Sequence, residues 1–300
     1  MDKSNEIKSP ITQGSVSFLF EINKSELTKN YAKETNIDIN YLLKNNDSIA
    51  VYQCNDTGYR FFYPFDIAGD GKFYEKLESI PWYYAEWKWD YDVAQHYINP
   101  NSHVLDIGCG EGKFIRFLEK EKQCTCVGLE LNEKAQTIAV GNKLHVVKEF
   151  IQTHAQSNQS VYDTVTFFQV LEHIEAIDSF MRGAIATVKP GGKIIIAVPN
   201  NEPYFLTYDK EHFLNLPPHH MGWWNEQSLS ALAKVYSLEL VDIIKQPLQH
   251  YTAYAQAFLT YRCRFPKGLV NLLTPIFKGI FYLNRKNIHG ASILAVYKKK

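Results

Sequence analysis

The chain has 300 residues, 45% of them hydrophobic and 14% aromatic, which is enough for one sizeable core with additions and too little for two large domains. Its 32 Lys and Arg balance 32 Asp and Glu, so the global basic signature of a nucleic-acid binder is missing and no nucleic-acid partner is expected. Five cysteines without framework spacing, no signal-peptide apolar core and no bilayer-length apolar run lead us to expect a reduced, cytoplasmic protein without stable membrane insertion.

Residues 1–70 read as a small, irregular α+β extension with a polar start, and residues 71–300 as the main domain. Val16, Phe18 and Phe20 alternate like a strand, and Val51 and Tyr52 suggest another. The stretch VYQCNDTGYRFFYP resembles half of a zinc ribbon, but Thr57 stands where the second cysteine of a C-x2-C pair belongs. Cys54 therefore reads as a buried thiol, and no metal is expected. Residues 71–98 are dense in aromatic rings, including Trp82, Tyr83, Tyr84, Trp87 and Trp89, interleaved with charges. They predict one or two amphipathic helices leading into the first central strand.

That strand is 103–107, a short apolar run without solvent-facing alternation, as in a strand covered on both faces. It breaks at Gly108-Cys109-Gly110-Glu111-Gly112, after which Phe114, Ile115, Phe117 and Leu118 recur at helical spacing over 112–121. A strand, a glycine turn and a helix aim backbone N–H groups and a positive helix end at an anion over the turn, so a ligand site is expected here. The third glycine comes one position too early for a dinucleotide fingerprint, and no G-K-[ST] ending marks a triphosphate loop. A second buried strand, 124–130, ends on Glu130, a carboxylate placed to accept both hydroxyls of a ribose.

The pattern Asp106-x-Gly108-x-Gly110-x-Gly112 followed by Glu130 resembles the S-adenosylmethionine site of class I methyltransferases. The resemblance implies a cofactor set of Asp106, Gly108, Gly110, Gly112, Glu130 and Leu131, with Tyr83 and Tyr84 either covering the sheet or closing over the cationic sulfonium. A helix over 133–140 and a third strand near 144–148 follow, and then a turn where relatives present a carboxylate and an apolar group to the adenine; Glu149 and Phe150 stand there.

The fourth strand, 164–168, runs into Gln169-Val170-Leu171-Glu172-His173, similar to the VLEH signature of the same family. By that resemblance Phe168 and Gln169 border the adenosyl group, and His173 either orients a loop or acts as a base. A helix over 176–188 stops at Lys189-Pro190-Gly191-Gly192, and KIIIAV at 193–198 is a buried fifth strand. The loop after it contains LPPHHMGWWNEQSL, similar to a PPHH-x3-W feature of a broad methyltransferase subgroup. That implies His219 and His220 facing the site, and Trp223 or Trp224 anchoring a helix over 226–235. Strands at 238–244 and 292–296 complete the chain, separated by an insertion at 247–289 that reads as a helical lid or homodimer surface, with a membrane-surface helix as a third reading.

The expected fold is α/β: a doubly wound, mostly parallel seven-stranded sheet with the last strand antiparallel, the N-terminal extension and the helical insertion. The expected function is S-adenosylmethionine-dependent methyl transfer to a small-molecule acceptor, a hydroxyl of a saccharide-containing or secondary metabolite. His219, His220 and His173 are the candidate bases. A non-catalytic protein on the same fold and a protein or RNA methyltransferase remain open, although no [ND]-PP-[YF] motif follows the fourth strand.

Overall fold

A computed structural model describes residues 7–44, 46–78, 80, 87–202 and 213–300. Tyr83, Tyr84 and most of the loop after the fifth central strand, residues 203–212, lie outside the described residues.

The first part of the chain contributes β1 (Val16–Asn23), α1 (Lys24–Thr35), α2 (Asn40–Leu43), β2 (Ser48–Cys54), β3 (Arg60–Tyr63), α3 (Gly71–Glu78) and α4 (Trp89–Ala94). Next come β4 (His103–Ile107), α5 (Lys113–Lys122), β5 (Thr125–Leu129), α6 (Glu133–Gly141), β6 (Val146–Val147), α7 (Ile151–Ser157), β7 (Tyr162–Phe168), α8 (Ile177–Thr187) and β8 (Val188–Pro199). The chain ends with β9 (Gly222–Trp223), α9 (Glu226–Val235), β10 (Leu238–Pro247), α10 (Tyr251–Ala257), α11 (Lys267–Leu283) and β11 (His289–Lys299).

Seven strands form the main sheet in the order β10-β11-β8-β7-β4-β5-β6. Neighbours from β8 to β6 are parallel, and β11 runs antiparallel to both β8 and β10. The order reverses direction at β4, which places the crevice of such a sheet at the carboxyl ends of β4 and its neighbours. Both faces are covered, as the unbroken apolar run at 193–198 predicts: Ile194, Ile196 and Val198 enter one hydrophobic core, and Ile195 and Ala197 enter the other. α5 shows how the sequence sets an element. Gly112, at φ +74°, begins it; Phe114, Ile115 and Leu118 face the core; Lys120 and Lys122 sit in the last turn, where the helix dipole favours cations.

Several elements differ from expectation; β10 and β11, for example, run past 238–244 and 292–296 to Leu238–Pro247 and His289–Lys299. β6 is only two residues long, because it is the outermost strand and pairs with β5 alone. β8 begins at Val188, since pairing passes from Tyr162–Val188 directly to Thr164–Lys193, and Lys189–Gly192 loop out as a bulge with Gly191 at φ +76°. β1 is a strand, yet Phe18 and Phe20 are exposed, because β1 lies at the edge of a second, four-stranded sheet ordered β1-β2-β3-β9.

That second sheet bears on the site. Its last strand, Gly222–Trp223, comes from the loop after β8 and pairs with Arg60 and Phe61 of β3. Trp223 is buried in the core of this module with Tyr31, Phe62 and Phe73, whereas Trp224 is buried with Leu229 and Leu232 and so anchors α9. The loop bearing His219 and His220 is thus pinned at its end between two hydrophobic cores.

Candidate active site

At the tip between β4 and α5, Gly108, Gly110 and Gly112 all have positive φ, at +71°, +55° and +74°. Their surroundings separate their roles. A Cβ on Gly108 would press on Val170 and one on Gly112 would collide with Leu144, but one on Gly110 would meet nothing within 4 Å. The backbone at Gly110 therefore borders open space that a side chain would fill. Glu130, half-buried at the end of β5, reaches this tip: Oε2 accepts from the Gly110 N–H at 2.8 Å and Oε1 from the Asn132 N–H at 2.7 Å. A carboxylate offers about four acceptor positions, so the same group suits the two hydroxyls of a ribose. The open cradle and the positioned carboxylate fit an adenosyl cofactor.

Asp106, just before the turn, is buried and accepts from the Thr166 hydroxyl at 2.7 Å; burial pushes its carboxyl up to about 7. Leu131 and Phe150 are exposed apolar side chains following β5 and β6. The Glu149 carboxylate is paired with Nδ1 of His154 at 2.9 Å, and His154 Nε2 is 2.8 Å from the Tyr162 hydroxyl. Phe168 packs in the second core against Phe114 and Tyr91, with ring centroids at 5.1 and 5.3 Å. Gln169 takes φ +57°, a left-handed conformation that costs a residue with a Cβ some strain. Its amide donates to Asp90 at 3.1 Å and lies 3.2 Å from the Ser292 hydroxyl. Gln169, Asp90 and Ser292 line a cleft of about 460 Å³ together with Trp87, Trp89 and Gln246.

Gathered most closely are the three histidines. The His173 ring lies 4.6 Å from that of His219 and 5.0 Å from that of His220, and the latter two are 4.5 Å apart. One ring nitrogen from each lies within 4.8 Å of the other two. Two backbone links stitch VLEH to PPHH. The Met221 N–H donates to the Glu172 carbonyl at 2.7 Å, and His173 Nδ1 is 2.6 Å from the His219 carbonyl.

The tautomers follow from these partners. A carbonyl oxygen only accepts, so His173 Nδ1 carries a proton, as does His219 Nδ1, 2.7 Å from the Leu214 carbonyl. Asn215 donates its amide to Asn201 Oδ1 at 2.7 Å, leaving its own Oδ1, 3.2 Å from His220 Nδ1, to accept there as well. All three rings therefore keep hydrogen on Nδ1, and Nε2 is the basic nitrogen of each. Burial lowers His173 to about 4, which keeps it neutral near pH 7. Beneath it Glu172 is buried, its Oε2 has no hydrogen-bond partner among the described residues, and burial raises its carboxyl to about 8.

Several contributors carry no sequence signal by themselves. Tyr74 shares the His219 carbonyl at 3.3 Å and contacts His173 Nδ1 at 3.1 Å, while Asp90, Asn201, Asn215 and Ser292 act as orienting partners. Only the Asn200-Asn201 pair directly after the fifth central strand lies where a ligand-edge signal could have been sought.

Known proteins resemble the central part of the chain. Over 103 residues it is 35% identical to the ubiquinone biosynthesis O-methyltransferase of Vibrio parahaemolyticus, covering 32% of this chain and 43% of that protein. Over 124 residues it is 33% identical to the Aliivibrio fischeri protein of that name, covering 38% and 53%. The chain spans about half the length of these curated relatives. In fold it is similar to a Bacillus halodurans crystal structure carrying a provisional methyltransferase assignment, with 15% identity over 70% of this chain and 98% of that one and a TM-score of 0.50. Residues 84–243, just over half of the sequence, match the family described as "Methyltransferase domain", and the chain belongs to that family.

Proposed function

We propose that the protein transfers the methyl group of S-adenosylmethionine to a hydroxyl of a small molecule, a saccharide-containing or secondary metabolite, in a reducing compartment such as the cytoplasm. The observation that carries the reading is the trio of imidazoles with Nδ1 hydrogens held by fixed acceptors. With Nδ1 fixed as the donor, Nε2 is the basic nitrogen of each ring. The names of the relatives, O-methyltransferases, support an oxygen acceptor. Five free thiols support the compartment.

Bound there, S-adenosylmethionine would supply a methyl group on a positive sulfonium, whose transfer to the acceptor oxygen would leave a neutral thioether. The rest falls to the chain. Glu130 grips the ribose, and the backbone at Gly110 lets the methionyl part approach closely. Leu131 and Phe150 offer apolar contact to the adenine. Nε2 of His220 or His219 takes the acceptor proton, worth about 10²–10⁴-fold in rate, and His173 positions the PPHH loop. Holding donor and acceptor in line contributes on the order of 7–11 kcal/mol at best.

The test is incubation of the purified protein with S-adenosylmethionine and a metabolite extract, read by mass spectrometry. A compound gaining one methyl group, with matching release of S-adenosylhomocysteine, supports the reading. Cofactor binding without any methylated product supports a non-catalytic role instead.

A further inference from the structure

The insertion between β10 and β11 folds into a helical hairpin, α10 and α11 joined by a π-helical turn at Phe258–Arg262. One face of α11 packs inward: Val270 and Thr274 are buried, and Phe277 and Phe281 meet Phe258 at 5.7 and 5.4 Å. The opposite face is apolar too. Leu272, Ile276, Ile280 and Leu283, at i, i+4, i+8 and i+11, are 69%, 58%, 48% and 81% exposed. A helix apolar on both faces belongs against something apolar on both.

Charge decides what covers it. From residue 243 to the end there is no Asp or Glu, although the whole chain is neutral. Within the insertion, Arg262 and Arg264 precede α11, Lys267 and Lys278 lie in it, and Arg285 and Lys286 follow it, and among the described residues none of them is in an ion pair. A second copy of the chain would bring this basic fringe against itself without a carboxylate in between. An acidic lipid surface meets both features, attracting the fringe and accepting the stripe at headgroup depth. No described helix is long and apolar enough to cross a membrane, so α11 would lie in the surface plane.

We propose that the α10–α11 hairpin docks the protein on an anionic phospholipid bilayer. Tyr282, exposed and with the Arg285 guanidinium 4.5 Å above its ring, suits the headgroup boundary. The hairpin follows directly on Gln246 and Gln249, which line the cleft beside Gln169, so docking holds that cleft near the bilayer. The inference is independent of the acceptor's identity.

Co-sedimentation of the full chain with vesicles tests it. Phosphatidylglycerol-containing vesicles should retain the protein at low salt and release it at high salt, and pure phosphatidylcholine vesicles should retain much less. Leu272→Ser combined with Ile276→Ser and Leu283→Ser should lower vesicle affinity about tenfold or more, and Arg285→Glu with Lys286→Glu should do the same. All these side chains are exposed, so cofactor affinity and circular dichroism should stay unchanged. No retention by anionic vesicles, retention indifferent to both variants, or a dimer by light scattering that the triple serine variant dissociates would overturn the proposal, the last in favour of a second copy as occupant.

Discussion

Gly110 and Gly112 stand two residues apart in the same turn, both with left-handed φ, and alanine at each should have opposite consequences. At Gly110 the new methyl group meets nothing within 4 Å, so the cost to folding is the left-handed backbone alone, roughly 1–2 kcal/mol. At Gly112 it collides with Leu144 behind the turn, which adds overpacking of about 1–3 kcal/mol to the same strain. The sum, about 2–5 kcal/mol, is a large part of a typical stability of about 5–15 kcal/mol. Gly110→Ala should therefore fold but place its methyl group where the cofactor approaches, lowering affinity by about tenfold or more, equivalent to roughly 1.4 kcal/mol. Gly110→Val should abolish binding. Urea melts give the folding cost and calorimetric titration with S-adenosylmethionine gives the affinity. Equal destabilisation by the two alanines, or undiminished affinity in Gly110→Ala, would refute the separation of a binding glycine from a packing one.

Three further outcomes follow from the site. His220→Ala should cut turnover by about 10²–10⁴-fold while leaving cofactor affinity intact; full turnover removes His220 from the role of base. Because the imidazoles act as bases in this account, dialysis against EDTA should leave turnover unchanged, and a loss restored by zinc would make the three-histidine cluster a metal centre. The folded state holds the Glu172 proton up to about pH 8, whereas an unfolded glutamate releases it near pH 4.3. Its contribution is complete below the unfolded value and is lost as pH rises through the folded one, at about 1.4 kcal/mol per pH unit. Glu172→Gln should thus gain on the wild type from pH 5 to pH 8, by on the order of 3 kcal/mol near neutrality, and parallel melting profiles would contradict this.

The parallel half of the fold and the left-handed glycine turn after β4 were legible because their causes are local. A doubly buried strand reads as an unbroken apolar run, and a tight left-handed turn requires glycine. What joins distant segments was not legible. Nothing within PPHHMGWW says that Gly222 and Trp223 pair with a strand some 160 residues earlier, or that Tyr74 reaches the His219 carbonyl. The alternation of Val16, Phe18 and Phe20 gave a strand but not its exposure, which depends on the strand's place at a sheet edge. Phe168, at the end of β7, meets the stacked rings of Phe114 and Tyr91 edge-on, a contact between segments far apart in the chain.

The central claim is that the glycine tip and Glu130 together hold the adenosyl cofactor, and calorimetric titration of S-adenosylmethionine into the wild type and Glu130→Ala tests it directly. The account predicts saturable binding to the wild type at one site per chain. A hydrogen bond to a charged group is worth about 1.5–3 kcal/mol, so the variant, still folded by its melting profile, should bind at least about tenfold more weakly. Saturable binding of equal strength in both proteins, or none in the wild type, would contradict it.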